Sequence, residues 1–325
     1  MAMMRNGVLI VLGLLLGATA VQAQTFPTRP VTVLVTAAAG GVTDVVARAV
    51  GQKLSEVWGQ PVVIENKGGA AHILGAQAVA RATPDGHTLL VAEAGTFVLN
   101  PSLYPPDKLG YELGKDLVPI TGLVRINQAI VASNDLPASN IAELIALARQ
   151  KPGQLTYGTA AVASAPHMNM LKFERMANVK LQAVHYRGAA PALADVMAGH
   201  INLMSVSTSL ALPPHQDHRL KILGIGSAHR VAQAPDLPTV AESVPGYEAV
   251  TWFGLAATGG TPPEVIKKIS ADVQAVMNDP AFRAKFMDPQ MFESMAATPE
   301  QFSAFLKTET QSWAKIIEET HLTIN

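Results

Sequence analysis

The sequence predicts an α/β protein built of two lobes, with a cleft between them and two chain crossings that join them. A unit of strand, small-residue loop and helix occurs three times from residue 31 to residue 96, and the same unit recurs from residue 156 to residue 207. Such units form parallel sheets whose loops gather at the carboxyl edge of the strands. We therefore expect residues 24–125 plus 229–325 to form lobe 1 and residues 126–228 to form lobe 2, with loops of both lobes lining the cleft.

The start of the chain has the pattern of a secretory signal peptide. Arg5 precedes an apolar run from Val8 to Leu16, and the small-residue end at 21–23 fits a cleavage site. The apolar run is too short to span a bilayer comfortably. We expect cleavage after Ala23 and export of residues 24–325 to the periplasm.

The composition excludes several classes of protein. The chain of 325 residues contains no cysteine, which rules out disulfides, thiolate metal sites and cysteine catalysis. Its 24 Lys and Arg residues nearly balance its 25 Asp and Glu residues, so the chain lacks the basic character of a nucleic-acid-binding protein. A protein of this size without disulfides must rely on its hydrophobic cores.

The first unit carries the clearest indication of a ligand site. Val31–Val35 is predicted to be a buried strand, residues 37–41 a turn of alanine and glycine, and the following residues a helix. We expect Thr43 to cap this helix, with Asp44 in its first turn. A turn of small residues lets a ligand approach the main chain, and the N–H groups of a helix N-terminus attract a carboxylate or phosphate. An ordinary βα turn is the alternative interpretation.

The remaining elements follow from apolar runs, caps and turn residues. In lobe 1 we expect strands at 61–65 and 88–92, a helix at 73–81 and an irregular, proline-rich stretch at 101–117. Residues 118–131 are predicted to form two strands that lead into lobe 2. There we expect helices at 141–149, from 166 and at 191–198, and strands at 156–160, 182–186, 201–206 and 221–226. Two helices that begin near Pro263 and Pro299 are expected to close the chain and pack onto lobe 1.

The sequence offers little catalytic machinery. The loop Ala38–Thr43 lacks the G-x-G-x-x-G pattern of a dinucleotide site, and Ser164 lacks the flanking glycines of a hydrolase nucleophile. The histidines form no HExxH or His-x-His metal motif, and residues 215–218 are predicted to be a solvated turn. A hydrolase or isomerase that uses Ser164, His167 and Glu93 is the enzymatic alternative. Otherwise we expect a binding protein that is not an enzyme and needs neither cofactor nor metal.

A series of motifs, in order and correctly spaced from about Phe26 to Ile317, resembles a known family. The motifs are Ala38–Gly41 with Thr43–Arg48, Pro61–Asn66, Pro84–Gly86 with Thr88–Leu90, Gly95–Thr96, Asn100–Tyr104, Ser164–His167, Pro191–Leu193, Pro235–Glu242, Pro245–Glu248 and Trp252–Leu255. On these residues the chain resembles the solute-binding receptors of tripartite tricarboxylate transporters, the Bug receptor family.

The resemblance implies a two-lobe periplasmic binding protein of type II that closes on a small carboxylated solute. It implies that the carboxylate is held at the loop and helix start formed by Ala38, Ala39, Gly40, Gly41 and Thr43, with help from Thr96. The other end of the solute is expected to meet residues of lobe 2, namely Thr159, Ser164, His167, Arg187, Gly188, Ala189, Ala190 and Ser207. The implied partners are the small carboxylate and the permease subunits of a tripartite transporter, or a membrane sensor kinase, and a monomer is expected.

Several positions depart from the family pattern, and most of them lie at the predicted cleft. Ala37 replaces an aromatic residue, the loops at 93–96, 161–164 and 187–191 have lost side chains that hydrogen-bond, and residues 205–207 read Ser-Val-Ser where Phe-Asp-Asn is usual. An unpaired polar ligand group in a closed cleft costs about 1–3 kcal/mol. We therefore expect a relatively apolar or aromatic carboxylate as the ligand, and neither citrate nor an amino acid.

Glu93 is the departure that runs against this expectation. It follows the strand at 88–92, and its charge would repel a carboxylate unless His72, Arg187 or water offsets it. His72 belongs to the loop after the strand at 61–65, which we expect at the same edge of the sheet. Both residues are therefore candidate ligand-binding residues, and the sequence leaves their roles open.

Overall fold

A computed structural model describes residues 26–37, 39–69, 72–159, 164–186, 188–231 and 234–320. The predicted signal peptide, Ala38, residues 161–163 of the second-lobe loop and Arg187 lie outside the described residues. The interpretations that rest on them stay predictions.

Ten strands within the described residues join into one hydrogen-bonded sheet. They are β1 (Val31–Val35), β2 (Val62–Asn66), β3 (Thr88–Glu93), β4 (Leu117–Ala132), β5 (Thr156–Thr159), β6 (Gln182–His185), β7 (Leu203–Ser207), β8 (Lys221–Ile225), β9 (Val250–Thr258) and β10 (Phe292–Ser294). Their order is β2-β1-β3-β9-β4-β7-β5-β6, while β8 and β10 each pair with β4. Strands β1, β2 and β3 are parallel to one another, and β5 is parallel to both β6 and β7.

Strand β4 links the two lobes. Its residues 117–127 pair with β9, whereas residues 128–132 pair with β7. The chain therefore passes from lobe 1 into lobe 2 near Asn127. It returns beside this point, because the N–H of Gln128 donates to the carbonyl of Ala249, the residue before β9. The predicted arrangement of two lobes and two crossings is thus observed. The predicted return near residue 228 was wrong, because Val240, Val244 and Tyr247 still pack in the lobe 2 core and the chain returns just before β9.

Helices cover both faces of each half of the sheet. They are α1 (Val42–Trp58), α2 (Ile73–Ala80), α3 (Asn100–Leu103), α4 (Pro106–Leu109), α5 (Ile141–Gln150), α6 (Ala165–Ala177), α7 (Ala189–Met197), α8 (Thr208–Gln216), α9 (Pro263–Asn278), α10 (Pro280–Phe282) and α11 (Pro299–Thr320). In lobe 1, α1 and α9 pack on one face, and α2 and α11 pack on the other. In lobe 2, α5 and α6 cover one face, and α7 and α8 cover the opposite one.

Each lobe is held together by its own hydrophobic cores. In lobe 1, the ring of Phe97 stacks on that of Trp252 at 5.8 Å, and Phe302 meets both rings edge-on. In lobe 2, the fully buried Phe173 and Tyr247 pack against each other at 6.1 Å. Burial of one such side chain stabilises the fold by about 1.5–3 kcal/mol, so these cores fix the strands whose ends form the cleft.

Some predicted elements were wrong. Residues 118–131 form one continuous strand instead of two, and its pairing with β9 shifts register beside Pro119, where a β-bulge accommodates the proline. Strand β9 was not predicted, because it is buried in the centre of the sheet and its run of apolar residues shows no alternation. The proline-rich stretch contains α3 and α4, and His215 belongs to helix α8 instead of a turn.

Two of the predicted helix starts are confirmed in atomic detail, and one is corrected. At α5, the Asn140 side chain accepts a hydrogen bond from the N–H of Glu143, and at α11 Thr298 and Gln301 form a reciprocal pair. Helix α1, however, begins after Gly41, and Thr43 lies buried within its first turn. The N-terminus of α1 therefore has no capping hydroxyl, a feature that bears on the ligand site.

Candidate functional site

The loops of the two lobes meet at the point where β4 crosses over. In lobe 1, the carboxyl end of β3 lies here, because Glu93 pairs with Phe253 and Phe253 pairs in turn with Val124 of β4. In lobe 2, the carboxyl end of β7 lies at the same level, because Ser207 pairs with Gln128. The loops that follow β1, β2 and β3 therefore face those that follow β5, β6 and β7. We call the space between them the cleft.

The loop after β1 presents main-chain groups on the lobe 1 side. Ala39, Gly40 and Gly41 are exposed, and Gly40 has a φ of 81°, which favours glycine. No side chain caps α1, so the N–H groups of its first turn lack partners within the helix. Three of the predicted site residues thus lie where a carboxylate can approach the main chain, and Thr43 supplies a further N–H.

Asp44 shapes this loop from inside the helix. Its Oδ2 accepts hydrogen bonds from Arg48 Nε and from the N–H of Gly40, both at 2.9 Å, and its Oδ1 accepts one from Asn66 Nδ2 at 2.9 Å. The hydrogen bond from Arg48, with those from Gly40 and Asn66, outweighs the effect of burial and lowers the pKa of Asp44 to about 2. Asp44 is therefore a permanently charged but fully partnered carboxylate that holds the loop in shape.

His72 and Glu93 form a direct pair at the edge of lobe 1. The Nε2 of His72 lies 2.6 Å from Glu93 Oε1, and its Nδ1 donates to the carbonyl of Thr36 at 2.7 Å. Burial acts to lower the pKa of His72, but the hydrogen bond and charge of Glu93 outweigh it, so the pKa lies above its ordinary value. Of the three partners considered for Glu93, the structure therefore shows His72 in contact with it.

Two buried hydroxyls lie at the same edge without a hydrogen-bond partner. They are Oγ1 of Thr36, directly after β1, and Oγ1 of Thr96, in the turn after β3. Thr36 is 1% exposed and Thr96 is fully buried. An unpaired buried hydroxyl costs about 1–3 kcal/mol, which makes both residues candidates for contact with a ligand. Thr96 was predicted from the sequence and Thr36 was not, although a polar residue at the end of an apolar strand is a usable signal.

The lobe 2 side offers hydroxyls and helix starts without a side-chain cap. Thr159 Oγ1 and Ser164 Oγ share a hydrogen bond of 3.0 Å, and Ser164 directly precedes α6. Gly188, with a φ of 134°, precedes α7, which begins with Ala189 and Ala190 and has no side-chain cap. Ser207 precedes α8, and its hydroxyl accepts a hydrogen bond from Ser209 at 3.2 Å. The structure thus places all of these predicted residues at one edge.

His167 is a buried residue with little capacity for acid–base catalysis. Its ring stacks on Tyr157 at 6.3 Å and meets His185 edge-on at 5.2 Å. Burial, assisted by the charge of His185, lowers the pKa of His167 to about 4. A general base works best when its pKa is near the working pH. Because Glu93 is paired with His72, the acid of the alternative Ser164–His167–Glu93 triad is also engaged elsewhere.

Large apolar side chains are exposed at the ends of helices that border the cleft. Val45, Leu74 and Leu210 lie in the first turns of α1, α2 and α8 and are 42%, 46% and 46% exposed. Exposed leucines in these positions are suited to contact the body of an apolar ligand.

Two surface cavities of lobe 1 lie away from the cleft and do not resemble a ligand site. One of about 280 Å³ lies beside the second half of α1, and its Lys53 is already paired with Glu56 at 2.8 Å. The other, of about 590 Å³, lies between α9 and α11, where Ser270 hydrogen-bonds both Ala297 and Gln274. In the described ranges there is neither a cluster of three potential metal ligands nor a helix long and apolar enough to cross a membrane.

Comparison with known proteins identifies the family. A family model described as "Tripartite tricarboxylate transporter family receptor" (TctC) matches residues 46–322. The chain belongs to this family. It is 33% identical over 302 residues to the "UPF0065 protein in tcbD-tcbE intergenic region" of Pseudomonas sp. (strain P51), covering 92% of this chain and 89% of the relative. It is also 30% identical over 305 residues to protein BugT of Bordetella pertussis (strain Tohama I), with 93% of each chain covered.

Solved structures of relatives confirm the fold of this TctC family receptor. "R. palustris Rpa4515 with adipate" has a TM-score of 0.82 and 31% identity and covers 92% of this chain and 99% of that one. "Periplasmic binding protein BugD" has a TM-score of 0.78 and 34% identity at the same coverage. "MatC (Rpa3494) from Rhodopseudomonas palustris with bound malate" has a TM-score of 0.76 and 30% identity and covers 90% and 100%. The predicted family and two-lobe class are thus confirmed, and the neighbour BugD is a periplasmic binding protein.

Proposed function

We propose that this TctC family receptor captures a small carboxylate with a relatively apolar or aromatic body in the periplasm and delivers it to the permease of a tripartite transporter. The observation that carries the proposal is the pair of unpartnered hydroxyls, Thr36 and Thr96, beside the uncapped start of α1. A carboxylate accepts hydrogen bonds from hydroxyls and from main-chain N–H groups alike. A neighbour in complex with adipate supports a ligand of this chemistry.

In this proposal the carboxylate binds on the lobe 1 side. It accepts hydrogen bonds from main-chain N–H groups of residues 38–43 and from the hydroxyls of Thr36 and Thr96. Asp44 does not compete for the ligand's place, because its oxygens already accept hydrogen bonds from Arg48, Gly40 and Asn66. The helix N-terminus adds a favourable electrostatic contribution for a negative charge.

The distal end and the body of the ligand contact lobe 2. Polar contacts come from Thr159, Ser164 and Ser207, and from the start of α7 at Gly188–Ala190, with His167 as a neutral ring. Arg187, which lies outside the described residues, stays a predicted contact. The exposed Leu74 and Leu210 on opposite sides of the cleft provide apolar contacts. This division favours an acid such as adipate or benzoate over citrate or aspartate, whose extra polar groups would lack partners.

Closure of the two lobes traps the ligand between them. We propose that the lobes rotate about β4 near Asn127 and about the returning chain before β9. The segment that contains Val240, Val244 and Tyr247 packs into the lobe 2 core and therefore moves with lobe 2. A hinge of this kind requires only a few residues to change their backbone angles. The mature receptor, cleaved after Ala23, acts as a monomer that presents its closed form to the permease.

A thermal-shift and calorimetric panel on residues 24–325 tests this proposal. The ligands are adipate, benzoate, malate, citrate and aspartate. A ligand at 100 times its Kd stabilises the folded form by about 2.7 kcal/mol, which raises the Tm by several degrees. We expect shifts with adipate or benzoate. Binding of citrate or aspartate alone would contradict the apolar specificity, and the absence of any carboxylate binding would contradict the ligand class. If the wild type hydrolyses an ester and Ser164→Ala does not, the result would support the hydrolase alternative.

A further inference from the structure

We propose that the receptor binds its carboxylate together with one proton, which the pair His72–Glu93 holds at the edge of the cleft. The inference rests on the proposed function and adds a determinant of affinity to the same site. Glu93 brings a carboxylate to the place where an anionic ligand is expected. The proton is what makes the two negative groups compatible.

The geometry of the His72 ring requires that proton. Both ring nitrogens face acceptors, since Nδ1 lies 2.7 Å from the carbonyl of Thr36 and Nε2 lies 2.6 Å from Glu93 Oε1. A neutral imidazole has a single N–H and would turn a lone pair toward one of these oxygens. The short contact to Glu93 therefore contains a second proton. Whether nitrogen or oxygen carries it, the pair has no net charge.

The ring cannot turn away easily from these contacts. His72 has a φ of 72° and a ψ of 1°, a left-handed conformation that only a few per cent of residues other than glycine adopt. The helix behind it is pressed against the end of β1, because a Cβ atom at Gly75 would lie 2.8 Å from the carbonyl oxygen of Lys67 and 2.9 Å from Thr36 Cγ2. Strained conformations of this kind persist where the surroundings fix them, which is common at ligand sites.

The neighbouring charges leave Glu93 dependent on His72. On α1, Asp44 is paired with Arg48, and Asn66 at the end of β2 hydrogen-bonds both of them. From the loop before α2, Lys67 contributes its main chain to the packing of Gly75. Among the described residues, Glu93 is the charged group that acts on the His72 ring. Loss of the proton therefore gives the His72–Glu93 pair a net negative charge beside the carboxylate site.

The consequence is an affinity that falls with rising pH. Below the pKa of His72 the pair is neutral and an anionic ligand meets no repulsion from Glu93. Above it, the ligand carboxylate and Glu93 repel each other across a partly exposed site, which we expect to weaken binding on the order of tenfold. His167, whose ring is neutral above a pKa of about 4, does not contribute to this change.

The first test examines the free protein and needs no ligand. Histidine ring nitrogens are followed by 15N NMR during a pH titration of residues 24–325, and the His72 signals are assigned by their absence in His72→Asn, since asparagine tolerates the left-handed conformation. We expect His72 to stay doubly protonated above pH 6.5 in the wild type. In Glu93→Gln it should titrate below pH 6.5, because burial then outweighs the remaining hydrogen bond to the Thr36 carbonyl. A wild-type His72 that is neutral at pH 6.5 would overturn the inference.

The second test measures the Kd of adipate at pH 6 and pH 8.5. The wild type should bind about tenfold more weakly at the higher pH, and Glu93→Gln should show nearly equal values. His200→Gln is the matched control, because His200 also faces a carboxylate, Asp195, at 3.2 Å but is 71% exposed at the far end of lobe 2. It should keep the wild-type dependence. A pH dependence that survives Glu93→Gln contradicts this inference while leaving the proposed function intact, whereas absent adipate binding at both pH values counts against the proposed function alone.

Discussion

Replacement of Thr96 by valine should make the receptor more stable and a weaker binder. Thr96 is fully buried, and its hydroxyl has no hydrogen-bond partner. Valine has nearly the same shape, so the change removes an unpaired polar atom without leaving a cavity. Since an unpaired buried hydroxyl costs about 1–3 kcal/mol, we expect Thr96→Val to raise the free energy of unfolding by about 1–2 kcal/mol.

The same change should reduce affinity because the ligand loses a donor. A hydrogen bond to a charged acceptor contributes about 1.5–3 kcal/mol, so the Kd of adipate should rise about 10- to 100-fold. Stability is measured by urea unfolding of the free protein and affinity by calorimetry. A gain in stability together with a loss of affinity is the signature of a group held unsatisfied for its ligand.

Thr121→Val provides the matched control. Thr121 is also fully buried, but its hydroxyl donates to the carbonyl of Ala297 at 2.8 Å and accepts from the N–H of the same residue at 3.0 Å. Its loss should lower the free energy of unfolding by about 1–3 kcal/mol and leave adipate binding unchanged. If Thr96→Val destabilises the protein as Thr121→Val does, or if it binds adipate normally, the assignment of the Thr96 hydroxyl to the ligand is wrong.

Three further predictions concern the loop, the apolar walls and the packing of α2. Asp44→Asn should lower the Tm at pH 7. Because Arg48 and the other donors lower the pKa of Asp44 to about 2, its stabilisation is present above its unfolded pKa near 3.8 and is lost as the pH falls to 2. Melts of mutant and wild type should therefore converge at pH 2. Leu74→Ser should weaken adipate binding about 3- to 10-fold in calorimetry. Val57→Ser should not, because Val57, which is 56% exposed, lies at the C-terminal end of α1, away from the cleft. Gly75→Ala should cost about 1–3 kcal/mol in urea unfolding because its Cβ meets main chain at 2.8 Å, while Gly95→Ala, whose Cβ meets nothing nearer than 3.9 Å, should be tolerated.

The sequence was most informative where a local rule determines the structure. The strand, loop and helix that begin at Val31 were predicted because an apolar run, two glycines and an acidic first turn occur in order. The caps at Asn140 and Thr298 were predicted because capping depends on residues three positions apart. Strand β9 was missed because its burial comes from strands β3 and β4, which are far away in the chain, and not from its own pattern.

The site residues likewise divide into those that a local rule predicts and those that depend on contacts distant in the chain. Loop positions such as Gly40 and Thr96 follow from their place at the end of parallel strands, which the order of elements already predicts. The contact between His72 and Glu93 could not be derived, because it depends on the left-handed backbone of His72 and on the close packing of Gly75 against Thr36. The same holds for the absent partner of Thr36, which only the packed structure reveals.

The carboxylates of Asp44 and Glu93 lie at the edge where an anion is proposed to bind. They are compatible with anion binding, because each is neutralised within lobe 1 by a different kind of partner. Asp44 is held by Arg48, whose guanidinium keeps its charge throughout the physiological range, so that half of the edge is insensitive to pH. Glu93 is held by His72, which loses its charge when the pH rises above its raised pKa. The first pair therefore fixes the shape of the binding loop, while the second makes the charge of the cleft adjustable. Exchange of the partner at Glu93 for a permanent cation should accordingly abolish the dependence of affinity on pH without abolishing binding.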